Sequence, residues 1–228
     1  MSGCGWSIRQ GMYAYLLLIF VGGIGSLGVF VVVSDPAEAL NVENPAVLMT
    51  MIGATALGMA AALIYAARIA GRDAFQWGSM SVEWTCSAVA LTVPVLAFGF
   101  GWSQLIEWMG IEALPQTFVQ GLLDTPSMTA LLVAGGYGVF GAAILEEMLF
   151  RGFIQPPMVA RFGAVGGIVM ASAVFGLVHI SDPWAVIPTA VIGGVAGWLR
   201  HRTGGLGASI VFHAVNNLLA FMLTAAAT

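Results

Sequence analysis

Residues 129–151 read TALLVAGGYGVFGAAILEEMLFR, an apolar run with no charge until Glu146, then Glu147 and, four residues later, Arg151. Its length suits a helix crossing about 30 Å of hydrocarbon. In lipid a chain must satisfy its backbone polar groups internally, and an α-helix does so within one segment. A charge in such a span costs at least about 2.5–3.5 kcal/mol on insertion scales, so it faces protein or a cavity and marks function by default. The stretch therefore implies a helical membrane bundle with ionisable groups turned inward.

The rest of the chain agrees. Of 228 residues, 59% are hydrophobic and 8% are charged, against roughly 25% charged in an ordinary soluble domain. So few charges could not cover a water-facing surface. Apolar runs predict about seven spans, at about 12–33, 45–67, 85–102, 129–151, 163–180, 184–200 and 205–224. The expected fold class is all-α, a polytopic transmembrane helical bundle forming one membrane domain. Residues 1–128 would supply three N-terminal helices and a long interfacial connection, which holds Trp108 and in which Leu105, Ile106, Met109 and Leu114 suggest a short helix. Residues 129–228 would supply a core of four helices. The first run does not end in a small-residue cleavage site, so it reads as a retained span. Gly193 and Gly197 stand at the GxxxG spacing that allows close helix approach.

Charge sets an orientation. Arg9, Arg68, Arg72, Arg151, Arg161, Arg200 and Arg202 fall in connections of one parity. Asp35, Glu38, Glu43, Glu107, Glu112, Asp124 and Asp182 fall in the other. The positive-inside rule then puts the N-terminus in the cytoplasm and the C-terminus outside. Trp6, Trp77, Trp84, Trp102, Trp184 and Trp198 all lie near expected span ends, where amphipathic rings favour the headgroup layer. Cys4 and Cys86 are too far apart in sequence to suggest a disulfide framework or metal knuckle. A net charge of −4 points away from nucleic acid.

The polar exceptions cluster late. The fourth span ends with Glu146, Glu147 and Arg151, the fifth with Phe175 and His179, and the seventh carries His213 and Asn217. Glu147 and Arg151 share a helix face at i,i+4 and read as a structural salt bridge. Glu146, about 100° round the helix, is left free for chemistry. His213 and Asn217 present an imidazole and an amide side by side, and Phe175 can pack beneath His179. Counting residues from the turn near Phe162 puts Glu146 and His179 at a roughly similar depth on two antiparallel helices, with Pro156 and Pro157 expected to interrupt the outgoing segment. A poorly solvated carboxylate beside an imidazole can deprotonate water. An imidazole N–H and an asparagine amide can hold the oxyanion that forms when water attacks an amide carbonyl. Glu146, His179, His213 and Asn217 thus supply the parts for peptide hydrolysis without a covalent intermediate.

The pattern Glu146-Glu147-x-x-x-Arg151, Phe175-x-x-x-His179 and His213-x-x-x-Asn217 resembles the CAAX protease and bacteriocin-processing (Abi) group of intramembrane endopeptidases, related to the type II CAAX prenyl protease. The resemblance covers roughly residues 129–224. It implies that Glu146 and His179 activate water, that His213 and Asn217 form the oxyanion hole, and that Glu147 orders the site through Arg151. The substrate would be a membrane-associated or lipidated peptide, a membrane protein, or a bacteriocin-type precursor. Basic usage confined to arginine fits a GC-rich prokaryote and hence its plasma membrane.

Other readings stay open. Glu146, His179 and His213 also form a two-histidine, one-carboxylate set suited to zinc or another divalent metal. No cofactor is expected on the metal-free reading, which Asn217 favours because an amide serves an oxyanion better than a metal. A proton-coupled transporter would also place Glu and His in the membrane, but no inverted repeat is visible. A non-catalytic scaffold would tolerate the loss of Glu146.

Overall fold

Helix-starting and helix-ending residues bound each apolar run in the computed structural model, which describes residues 4–33, 35, 44–78, 80–111 and 128–227. Helix α1 (Ile8–Ser26) starts at Ser7, whose hydroxyl accepts from the Gln10 amide while the Gln10 side chain accepts from the Ser7 amide. A turn joins it to the short α2 (Val29–Val32). Helix α3 (Pro45–Ala70) has Asn44 as its cap and proline in its first turn, where a missing N–H costs nothing. It runs into a 3₁₀ turn, Gly71–Phe75. Helix α4 (Val82–Trp108) is capped by Ser81. Then come α5 (Met128–Gly136), a π turn (Tyr137–Gly141), α6 (Ala142–Glu147), a second π turn (Met148–Ile154) and α7 (Gln155–Leu177). Helix α8 (Val186–Thr203) ends at Gly204, which takes a left-handed conformation, and α9 (Gly207–Ala227) follows.

The fold class is as expected: every regular element among the described residues is helical. The count of seven spans is not reproduced. Among the described residues, five helical stretches are long and apolar enough to cross a membrane: Ile8–Val32, Pro45–Phe75, Val82–Trp108, Tyr137–Leu177 and Gly207–Ala226. Two differences account for this. The expected fourth and fifth spans are counted together in the stretch Tyr137–Leu177, whose two limbs meet at Gly163; Pro156 and Pro157, expected to interrupt the outgoing limb, sit in the first turn of α7 and do not. The chain reverses at Gly163 (φ 74°), beside the turn expected near Phe162, and Gly167 then packs directly on the backbone of Met158 and Val159. The expected sixth span, α8, is only 18 residues long and ends in Arg200, His201 and Arg202.

Two further expectations change. Leu105, Ile106 and Trp108 continue α4 and do not form a separate helix; Leu114 lies outside the described residues, as do Glu38, Glu43, Glu112 and Asp124. Arg151 is buried in the bundle at 1% exposure, so it cannot count among the arginines that orient the chain. The others gather sensibly. The start of α1, the 3₁₀ turn, the elbow of α7 and the α8–α9 turn meet at one end. Trp6 donates to the Phe153 carbonyl there (2.7 Å), and the Leu206 and Gly207 amides donate to the Gln76 and Trp77 carbonyls (both 2.9 Å). Arg9, Arg72, Arg161 and Arg202 belong to these segments. Trp102, donating to the Trp184 carbonyl (2.9 Å), marks the opposite end.

Lipid tails are as apolar as the side chains, so close packing of small residues, not hydrophobicity, holds such helices together. α1 and α3 meet along Ala14, Gly22, Ala54, Gly58 and Ala62. Gly193 and Gly197 do permit close approach: the first lies against Ser172 and Phe175, the second against Gln155 and Ile168. A Cβ at Gly58 would stand 2.6 Å from the Leu18 carbonyl oxygen, whereas one at Gly53 meets nothing within 4 Å. Gly58→Val is therefore expected to lower stability by about 1–3 kcal/mol, the usual cost of overpacking, and Gly53→Ala to leave it unchanged. Thermal unfolding of both variants in detergent checks this.

Candidate active site

The α6 helix presents Glu146 and Glu147 between two π turns, and α9 brings Ser209, His213 and Asn217 against it at successive i,i+4 positions. π turns widen the helix and recur at functional sites. Glu147 is fully buried. Its Oε2 lies 3.3 Å from Arg151 Nε, the expected i,i+4 pair. Its Oε1 lies 2.9 Å from His213 Nδ1, a contact that spacing along one helix could not reveal. The Ser209 hydroxyl, which donates to the Leu206 carbonyl (2.9 Å), also lies beside this carboxylate.

His213 faces both glutamates. With Nδ1 on Glu147, its Nε2 turns towards Glu146, 3.9 Å from Oε2. The Glu146 side chain is 17% exposed and the His213 side chain 5%. Tyr137 is within electrostatic reach of the Glu146 carboxylate.

Phe175 connects the remaining parts. Its ring centroid is 5.4 Å from that of His179 and 5.7 Å from that of His213, with both imidazoles edge-on to it. The Arg151 guanidinium lies 4.2 Å over the same ring, where a cation gains from the ring quadrupole. Phe175 therefore does more than pack beneath His179: it touches both imidazoles and the buried cation. His179 lies in the turn just beyond α7, its Nδ1 3.2 Å from the Phe175 carbonyl, so its Nε2 remains available. No hydrogen bond or ion pair joins His179 to Glu146 among the described residues.

Asn217 donates through Nδ2 to the Gly138 carbonyl in the first π turn (3.1 Å), leaving its second N–H for another acceptor. Sequence reasoning missed Gly138, Ser209 and Tyr137. Ser209 was within reach, since it stands four residues before His213 on the same face. Asn216, also passed over, is 3% exposed with an unpartnered Oδ1. His213 Nδ1 bonds Glu147, which leaves its Nε2 free, and no group of three His, Cys, Asp or Glu among the described residues is arranged to hold a metal ion.

Fold and cluster together define a polytopic helical membrane protein with a carboxylate–imidazole site inside its helices. Residues 128–219 match the family model of type II CAAX prenyl endopeptidase, Rce1-like, and this region is a domain of that CAAX protease family. The chain is thus an integral membrane protein with a domain from a family of proteases. No curated protein and no solved structure matches the chain.

The pairing predicts a stability pattern. Removing one partner of a buried ion pair costs about 3–5 kcal/mol, whereas replacing both by apolar groups is often neutral or better. Glu147→Ala should fall in that range, and the double variant Glu147→Leu/Arg151→Met should recover most of the loss. Thermal unfolding of the two variants beside the native protein measures it.

Proposed function

We propose that the chain is an intramembrane endopeptidase that hydrolyses peptide bonds with water activated by Glu146 and His179, without a covalent intermediate. The observation that carries this is His213 held between the two glutamates, one nitrogen anchored on Glu147 and the other turned towards Glu146.

The chemistry follows from the positions. Glu146 takes a proton from water as the water oxygen bonds to the scissile carbonyl carbon. His179, with Nδ1–H donating to the Phe175 carbonyl, offers the Nε2 lone pair to orient that water. The carbonyl oxygen becomes an oxyanion, which the Nε2–H of a doubly protonated His213 and the free N–H of Asn217 can stabilise. Glu146 then passes its proton to the departing amine as the C–N bond breaks. Glu147 fixes the ring of His213, and Arg151 balances the carboxylate. Phe175 sets the spacing of the imidazoles. No step requires a metal.

Substrates of this reading are membrane-associated or lipidated peptides, membrane proteins or bacteriocin-type precursors, reached from the bilayer or from the end that carries the arginines. That end faces the cytoplasm, with the N-terminus inside, in a prokaryotic plasma membrane.

Glu146→Gln and His179→Ala should abolish cleavage of a reporter peptide while the protein inserts and folds. Asn217→Ala should slow it by about 10²–10³, the usual effect of losing one oxyanion donor. Native activity should persist in excess chelator. Full activity in the Glu146 variant rules out hydrolysis by this carboxylate and leaves a scaffold role, and loss of activity in chelator restores the metal reading.

A further inference from the structure

At the arginine-bearing end, the segment leading into α1 and the first half of α7 border an open cleft of about 480 Å³. Its walls include Trp6, Ile8, Arg9, Pro157, Arg161 and Phe162, and no carboxylate lines it. Both arginines are exposed, and neither has an ion-pair partner among the described residues. The Arg161 guanidinium lies 5.6 Å from the Phe162 ring, which orients it.

The floor is preformed. Trp6 stacks on Phe153 at 5.4 Å and donates to the Phe153 carbonyl, while the Ser7–Gln10 capping box fixes the start of α1. Burial pushes the Cys4 thiol in the same cleft up from its ordinary value, so it adds no negative charge. Two guanidiniums line this cleft, and the guanidinium fork suits a phosphate.

What lies beside the cleft points to the source of that phosphate. Helices α1 and α7 touch, and their outer faces carry exposed apolar residues in sequence from the cleft: Tyr13 and Leu16 on one, Val165 and Val169 on the other. A free anion has no use for such a surface, whereas acyl chains do. We infer that this cleft binds the phosphate headgroup of an anionic phospholipid, whose chains lie along α1 and α7. It is independent of the proposed catalytic residues.

The test uses the purified full chain in detergent, titrated with dioctanoyl phosphatidylglycerol, dioctanoyl phosphatidylcholine or inorganic phosphate, with the thermal-unfolding midpoint as readout. The anionic lipid should raise the midpoint saturably, and the other two should not at equal concentration. At about 1 kcal/mol for each basic residue near an anionic surface, Arg9→Gln/Arg161→Gln should weaken the anionic lipid roughly 30-fold. Ala160→Trp, which fills the cleft without touching a charge, should weaken it comparably, and Arg68→Gln, outside the cleft, by less than twofold. Unchanged affinity in the double variant or in Ala160→Trp overturns the assignment. So does equal binding of phosphatidylcholine, and phosphate competing as well as the lipid shows a soluble-anion site instead.

Discussion

A carboxylate with no exposure, inside helices that face lipid, can stay charged only if its surroundings replace the water it has lost. Glu147 does so with the Arg151 guanidinium one turn along and the His213 imidazole from α9. A buried pair of this kind gives little net stability, because desolvation cancels most of the Coulomb gain. Its effect is positional. It admits one register of α6 against α9, because any slip would leave a buried charge alone. Arg151 in turn lies over Phe175, tying α7 to the same point. Three elements are held by one charge and its partners.

The site hangs on that arrangement. With His213 Nδ1 committed to Glu147, its Nε2 has one direction left, and Glu146 lies in it. Phe175 touches both imidazoles, so its ring sets how far His179 stands from His213. The first π turn supplies the Gly138 carbonyl that holds Asn217. These contacts fix orientations in advance, which is what stabilising a transient oxyanion requires.

The helices around the site are brought close by small residues rather than by large apolar ones. Gly58 lets α3 rest on the backbone of α1, Gly193 brings α8 against the Ser172 backbone of α7, and Gly197 seats it on the Gln155 and Ile168 side chains. The turn at Gly163 has a similar role: it lets the chain double back against Met158 and Val159 and returns Phe175 and His179 to the level of the glutamates. The proline pair, which looked like the interruption, sits where a helix accepts proline.

Composition and apolar run length alone determined that this chain is an all-helical membrane protein, because lipid leaves a spanning backbone few other choices. Helical spacing likewise exposed the Glu147–Arg151 pair, since residues four apart must be neighbours. Spacing could not show that His213 bonds Glu147, 66 residues away, or that Asn217 reaches Gly138, 79 residues away. Nor could it show that Arg151 leaves the surface. Those outcomes belong to the tertiary structure. They depend on which faces meet when the helices pack, and in lipid that is settled by close backbone contact and by buried charges finding partners.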